Sequence, residues 1–393
     1  MTIQQKNLIL LLKSALLSEK SIISNEFDLD WAIKVAKKHQ IIPLLYYGAL
    51  NCGIDNNIEE MQRLFKTTCF CISFDKRQSF EINKLFNAFE NEKIDYAPLK
   101  GSVIKSFYPK SEMRMMSDVD VLIRSEQNKE VSTLMEKLGY KFSFESNHEL
   151  AWEKNDILIE LHKRIVSTRN KDFCNFANDG WEKMKLFEKS RYAFSDEDFY
   201  IYIFLHLAKH YRAGGIGIRH MIDLWVLNNK ELDHKYIKNE LSKIGIYKFY
   251  KNVMDTLDVW FAQKKETPIT DFITNVIFES GSYGNSDAIA VAQVVRFYNK
   301  DRSMLQARFL GALQIIFPSY FVMSQKYPIL KKCYILLPFS WVFRWVKAIF
   351  TRSENVAINI NRWKNDSNKK FLKYQKDLEM VGLSFNLDED NQE

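Results

Sequence analysis

Leu99-Lys100-Gly101-Ser102, Ser117-Asp118-Val119-Asp120-Val121 and Ile159-Glu160-Leu161-His162 decide how this chain is read. The first is a Gly-Ser turn, the second a carboxylate pair spaced by two inside an apolar run, and the third another carboxylate among apolar residues. Successive side chains on a strand point to opposite faces, so Asp118 and Asp120 share one face while Val119 and Val121 take the other. Carboxylates held side by side repel each other unless a cation sits between them. The pattern predicts bound Mg²⁺ beside a phosphate-cradling turn, which points to phosphoryl or nucleotidyl transfer.

Outward from these stretches, Ile94 to Leu99 reads as a short strand, with Pro98 suited to an edge position or to the last residues of the strand. Val103 to Phe107 forms one or two helical turns that Tyr108-Pro109 ends. Asp118 to Ile123 is a strand. Glu126 to Leu138 is an amphipathic helix with Val131, Leu134, Met135 and Leu138 on one side and Gly139 just past its end. Tyr140 to Glu145, Glu149 to Glu153 and Ile157 to His162 read as strands, the last two joined as a hairpin through Lys154-Asn155-Asp156. Helical periodicity fills Asp28 to Leu50, with a new start at Pro43, and Ile58 to Glu90. It returns after Lys163 and lasts to about Leu378, interrupted by the loop Gly214-Gly215-Ile216-Gly217.

The expected architecture is α+β: a small mixed-sheet core (91–165) between an N-terminal helical region (1–90) and a large C-terminal helical domain (166–380). An acidic, disordered tail (381–393) is expected to follow.

At 393 residues, with 46% apolar and 27% charged content, the chain suits a soluble globular protein of two or three domains. Five scattered cysteines, with Cys69 and Cys71 too close for a zinc knuckle, fit reduced thiols in a cytosolic protein. The apolar run Leu8 to Leu12 is interrupted by Lys13 and does not read as a secretory signal. Phe309 to Gln325 and Cys333 to Phe343 are uncharged but too broken or too short to span a bilayer. The net charge of +7 hides an asymmetry: Arg302 to Lys376 carries 14 Lys or Arg against Glu354 and Asp366. Basic residues interleaved with Phe, Trp and Leu mark either a solvated helical face or a contact with an anionic membrane or lipid-linked substrate. Nucleic acid is the weakest of these readings. Cytoplasmic residence follows, with peripheral contact at the inner face of the membrane if the second holds.

An Asp-x-Asp pair alone is a weak signal. Inside a strand, where Asp is disfavoured and a cap or turn role is absent, Asp118 and Asp120 carry more weight. Glu160 faces the same cleft only if its strand lies beside theirs; otherwise it is an exposed edge residue. His162 shares the Glu160 face, to contact phosphate or base, to orient Glu160, or simply as a polar-face histidine. Gly101 lets backbone approach phosphate oxygens, and the Ser102 hydroxyl can join the cradle. Lys100 and Arg114 stand where they can neutralise a triphosphate, or serve as surface charges. His206 and His210 fall one helical turn apart, a zinc-like spacing without an evident third ligand, and Arg219 and Asp223 repeat the spacing as a helix-surface pair. Lys209, His210 and Arg219 can close over a nucleotide from the helical side, or pack structurally.

Together these elements resemble the nucleotidyltransferase superfamily that includes DNA polymerase beta: Gly-Ser, a spacer, acid-hydrophobic-acid-hydrophobic, and a third acid on a later strand. The spacer Val103 to Ser117 is slightly longer than usual, and Lys100 stands where a hydrophobic residue is common. A closer likeness is to bacterial proteins grouped as uncharacterised nucleotidyltransferases. It rests on Leu99-Lys100-Gly101, Tyr108-Pro109, Arg114-Met115-Met116-Ser117-Asp118-Val119-Asp120, Glu160-Leu161-His162 and, downstream, His206, His210, Gly215, Arg219 and Asp223. With Phe317-Pro318-Ser319 included, it spans about residues 30 to 350. The resemblance implies a Mg²⁺-dependent enzyme that takes an NTP, ATP by expectation, and moves its nucleoside monophosphate to an unidentified acceptor. Asp118, Asp120 and Glu160 would be the catalytic and metal-binding acids. Lys100, Gly101, Ser102, Arg114, His162, Lys209, His210 and Arg219 would hold the nucleotide. Two rivals remain open: a non-catalytic nucleotide-binding protein, and a membrane-surface assembly protein of a polysaccharide pathway.

Overall fold

Val119, Val121, Ile159 and Leu161 alternate with Asp118, Asp120, Glu160 and His162, and this alternation places one β-sheet between two apolar cores. The computed structural model describes residues 1–146, 149–166, 171–174, 176–177, 179–282, 284–298, 303–320, 323–324, 327, 329–347 and 368–385. Four helices lead in: α1 (Ile3–Leu17), α2 (Leu29–His39), α3 (Ile42–Asn51) and α4 (Glu59–Asn91). Then come β1 (Tyr96–Pro98), α5 (Gly101–Ile104), β2 (Asp118–Ile123), α6 (Asn128–Lys137), β3 (Lys141–Glu145), β4 (Glu149–Lys154) and β5 (Ile157–His162). After α7 (Lys171–Cys174), β6 (Met184–Glu188) and β7 (Arg191–Phe194) come α8 (Asp196–Arg212), α9 (Ile218–Asn228) and α10 (His234–Ile244). Next are α11 (Tyr247–Phe261), α12 (Pro268–Ser280), α13 (Ser286–Val295) and α14 (Met304–Ile316), and a helix over Asn368–Val381 lies near the end.

Local chemistry sets the boundaries that matter for the cleft. The Asp28 side chain accepts from the Trp31 amide to start α2, and Pro43 sits in the first turn of α3, where its missing N–H costs nothing. Ser195 caps α8, with Asp196, Glu197 and Asp198 in the first turn and Lys209 and Arg212 in the last, matching both ends of the helix dipole. Asn155 (φ 52°) and Asp156 (φ 63°) both take left-handed backbone, the two-residue turn that suits strand twist, and close the β4–β5 hairpin.

The seven strands run β3-β4-β5-β2-β1-β7-β6, with β2 parallel to β5, β1 parallel to β7 and the remaining pairs antiparallel. β1 lies inside the sheet, and its Pro98 is the strand's last residue. The ladder resumes one residue later, where the Leu99 amide donates to the Asp120 carbonyl at 3.0 Å. The expectation of helix throughout from Lys163 is overturned: Met184–Glu188 and Arg191–Phe194 are a hairpin in the same sheet. β6 carries no burial pattern because it is an edge strand exposed on nearly every residue, and β7 has only four residues, so pairing rather than burial pattern fixes the hairpin.

Behind the sheet, Val119, Val121, Ile157, Ile159, Leu161 and Tyr96 pack on Ile82, Leu85 and Phe89 of α4 and Val131 and Met135 of α6. On the other face, Ala97, Leu99 and Leu122 join a core shared by Leu8, Leu12 and Leu44 from the N-terminal helices with Phe204, Met221 and Phe249 from the later ones. Val381 and Leu383 are buried in this core, and Arg212 donates to the Ser384 carbonyl at 3.0 Å. Residues 386–393 of the expected acidic tail, and 348–367 of the basic segment, lie outside the described residues. Ile159 is fully buried at the centre of the smaller core, so Ile159→Ala is expected to cost about 2–5 kcal/mol in a urea titration. A loss below about 1 kcal/mol would show that the neighbouring side chains close the cavity.

Candidate active site

Parallel pairing of β2 and β5 sets Asp120 opposite Glu160, Asp118 opposite Leu158 and Leu122 opposite His162. Paired residues share a face, so Asp118, Asp120, Glu160 and His162 emerge on one side of the sheet. Antiparallel β4 adds Glu149 opposite His162. Asp120, Glu160 and His162 each bring one ligating atom to within 4.8 Å of the others. His162 Nε2 lies 2.7 Å from Asp120 Oδ1 and 3.7 Å from Glu160 Oε2, while its Nδ1 is 3.8 Å from Glu149 Oε2.

The turn after β1 delivers a cation to the same place. Lys100 has φ 42°, strained for a side-chain-bearing residue, and its ammonium lies 2.5 Å from Asp120 Oδ1. Burial alone would raise the Asp120 pKa, but Lys100 and His162 outweigh it and hold this carboxyl well below the usual range. Glu160 goes the other way. Burial, then the charges of Asp120 and Asp118, push it up to about 8. Asp118 is also raised, by burial and by Asp120. Lys100 therefore holds Asp120 ionised, while burial and the charge of Asp120 disfavour ionisation of Glu160 and Asp118.

Helices α8 and α9 form the opposite wall of a cleft of about 260 Å³. Lys209, His206 and His210 come from the end of α8, and Arg219 and His220 from the start of α9, beyond the 214–217 turn. His206 and His210 meet Nε2 to Nε2 at 3.1 Å, and the His220 ring lies 6.1 and 6.2 Å from theirs. Burial, with Lys209, Lys100 or Arg219 nearby, drives all three imidazoles well below their ordinary pKa, so they are neutral. Lys209 is lowered to about 8, first by burial and then by Lys100. Among the described residues its ammonium has neither a hydrogen bond nor an ion pair.

Lys100, Gly101, Arg114, Asp118, Asp120, Glu160, His162, Lys209, His210 and Arg219 thus line one cleft, though they span more than a hundred residues of sequence. Ser102 stands apart: its hydroxyl donates to the Leu99 carbonyl at 2.6 Å and it does not line the cleft. A Cβ on Gly101 would come within 2.6 Å of Met116 Sδ, so close packing against Met116 requires this glycine. Arg114 is buried in a two-pronged bond to Asp223, Nε to Oδ1 at 2.7 Å and Nη2 to Oδ2 at 2.9 Å, and Tyr108 adds a third contact at 2.7 Å. The Arg219–Asp223 helix-surface pair is accordingly corrected. Both residues are buried, Asp223 is held by Arg114 and Tyr108, and Arg219 reaches Gln40 and the Met115 carbonyl. Glu149 and His220 were missed. The two-residue turn at Asn155-Asp156 fixes Glu149 against His162, so counting back from it would have found the glutamate.

The donor set fits a divalent cation. Carboxylate oxygens suit a hard ion, and the raised Glu160 and Asp118 show that burial and the neighbouring acids outweigh the help that Lys100 gives them. Because Glu160 must lose its proton to act as a ligand, divalent-ion affinity is expected to rise with pH up to about 8, by up to roughly tenfold per unit, and then level off. Calorimetric Mn²⁺ titrations at several pH values measure this. A flat profile would remove Glu160 from the ligand set, and Glu160→Gln should abolish the slope.

The family model described as "Uncharacterised nucleotidyltransferase" matches residues 25–262, well over half the chain. The match ends short of Phe317-Pro318-Ser319, so the likeness is narrower than the 30–350 expected. No curated protein matches. Among solved structures the chain is similar to the antibiotic-resistance factor ANT(2'')-Ia at 13% identity and a TM-score of 0.33, covering 48% of this chain and 100% of that one.

Proposed function

From the premise that this chain belongs to the uncharacterised nucleotidyltransferase family, we propose that it transfers a nucleoside monophosphate from an NTP, with ATP as the donor, to an acceptor hydroxyl and releases pyrophosphate. The observation that carries this reading is the cleft itself, with acids on one wall and on the other the half-buried ammonium of Lys209, unpaired among the described residues. Asp118, Asp120 and Glu160 would hold Mg²⁺. When bound, that ion supplies charge neutralisation and polarisation of phosphate oxygens. Lys209 and Arg219 would take the triphosphate from the helical wall, with His210 beside them. Gly101 would give its backbone to the phosphates, and Lys100, released from Asp120, its charge. His162 holds the Asp120 carboxylate in orientation, and Glu160, where it does not complete the metal site, would help to deprotonate the acceptor hydroxyl. Partners in this reading are the NTP, a hydroxyl-bearing acceptor and, through 302–376, an anionic membrane or lipid-linked substrate rather than nucleic acid. Residence is cytoplasmic. Among the described residues no helix is long and apolar enough to cross a membrane.

The test is incubation with cell extract, Mg²⁺ and ATP labelled at the α- or γ-phosphate. Label from the α-position should enter an acceptor, with stoichiometric pyrophosphate. Transfer of γ-label instead would make the protein a kinase and end the proposal. In the same assay Lys209→Ala is expected to raise KM for the NTP by roughly tenfold or more, the loss of one charge-assisted contact to phosphate. An unchanged KM would assign Lys209 to packing.

A further inference from the structure

The helix over residues 337–347 is turned inside out for a protein in water. Phe339, Val342, Phe343 and Val346 fall at the spacing that shares one helix face, yet they are 70%, 51%, 58% and 46% exposed. Its other side is anchored. Trp341 Nε1 donates to the Pro318 carbonyl and Trp345 Nε1 to the Ile316 carbonyl, each at 2.9 Å, and both indoles meet Phe317 edge-on at 5.2 and 5.1 Å. The apolar stripe therefore faces outward because the aromatic side is already used. On α14, Leu305 and Phe309, one turn apart, are also mostly exposed. Among the described residues half of all exposed large apolar side chains, 12 of 24, fall between 305 and 346. That concentration separates this surface from the scattered apolar exposure that every protein carries.

Charge borders the same surface. Lys369, Lys370, Lys373 and Lys376 are exposed on the helix Asn368–Val381. That helix adjoins α14 through Arg308, whose Nη1 donates to Asn368 Oδ1 at 3.0 Å and whose guanidinium lies 5.4 Å from the centre of the Phe371 ring. Across 302–376 only Glu354 and Asp366 oppose 14 basic residues.

We infer that the outward faces of helix 337–347 and α14, with the adjoining lysines, form a docking surface for an anionic lipid bilayer. Exposed apolar side chains enter the boundary between headgroups and acyl chains, while the adjoining lysines meet lipid phosphates. A second copy of this chain would set one basic rim against another and is disfavoured by repulsion. A nucleic acid would meet an apolar centre with the cations only at its edge. Docking needs no spanning segment, and among the described residues no helix is long and apolar enough to be one.

The test is cosedimentation of the full chain with vesicles of phosphatidylcholine alone or mixed with phosphatidylglycerol. Binding is expected with the mixed vesicles, weakly or not at all with phosphatidylcholine, and is expected to fall as salt rises. Phe339→Glu/Phe343→Glu should weaken partitioning more than about tenfold with little change in melting temperature, since both side chains are mostly exposed and, among the described residues, only Phe343 meets another ring, that of Tyr327 at 5.8 Å. Absence of vesicle binding, or equal binding by the double variant, overturns the inference. So does a wild-type dimer in light scattering that the double variant dissolves, or RNA binding lost in parallel. Docking does not use the cleft: Asp118→Asn protein should bind vesicles like the wild type, so failure of the transfer reading and failure of this one are told apart.

Discussion

Asp118→Asn is expected to lower nucleotidyl transfer on the order of 10²-fold or more while leaving the protein at least as stable as the wild type. Among the described residues Asp118 makes no ion pair, and its neighbour Asp120 is already engaged by Lys100 and His162. Its pKa is raised, by burial first and then by Asp120. A carboxyl raised in the folded state favours folding only while protonated. Its contribution is complete below the unfolded pKa and is lost as pH rises through the folded value, so at neutral pH the ionised form works against the fold. The neutral, isosteric amide removes that penalty together with a metal-binding oxygen. Melting temperature without divalent ion should therefore stay level or rise by a few degrees, as transfer collapses. Near-wild-type turnover would remove Asp118 from the machinery. Collapse of both turnover and melting temperature would show a structural role instead. Asp120→Asn is the less clean variant, because it strands the Lys100 ammonium.

Asp223→Ala should be among the most destabilising single changes in the chain, about 3–5 kcal/mol by denaturant titration. The Arg114 guanidinium is buried and its charge is balanced by Asp223, so the truncation leaves an unpaired cation and also removes the acceptor of Tyr108. The pair ties the segment before β2 to α9, that is, one wall of the cleft to the other. A second substitution separates the cost of an orphaned charge from the value of the contact. Arg114→Met combined with Asp223→Leu should recover much of the stability, since apolar residues of similar size replace a buried pair at little cost. If the double variant is as unstable as Asp223→Ala alone, the ion pair itself, and not the stranded arginine, carries the energy; costs that simply add would show that the two residues are not coupled.

Much of the candidate site was legible because strand periodicity is local. Asp118 with Asp120, and Glu160 with His162, follow from a side-chain period of two, and the acids stand out because apolar strands seldom carry them. The β4–β5 hairpin and the helix α6 were readable for the same reason, a turn signal and a period near 3.6. The hairpin of β6 and β7 was not, because a short edge strand exposed on most residues leaves no burial pattern to read. Ser102 and Arg114 could be named from sequence, but not where their polar groups go. The one turns to its own turn's carbonyl, and the other to an aspartate 109 residues away.

By itself the sequence determined which side chains alternate toward polar and apolar faces, and therefore that three acids would line strands. Only the tertiary structure decided that Glu160 lies opposite Asp120, that Lys100 rests on that aspartate, and that Lys209 comes across from α8 to complete the cleft. The physical reason is range. Periodicity and turn chemistry act over a few neighbouring residues, whereas register between strands and the partner of a buried charge are set by packing between segments far apart in the chain.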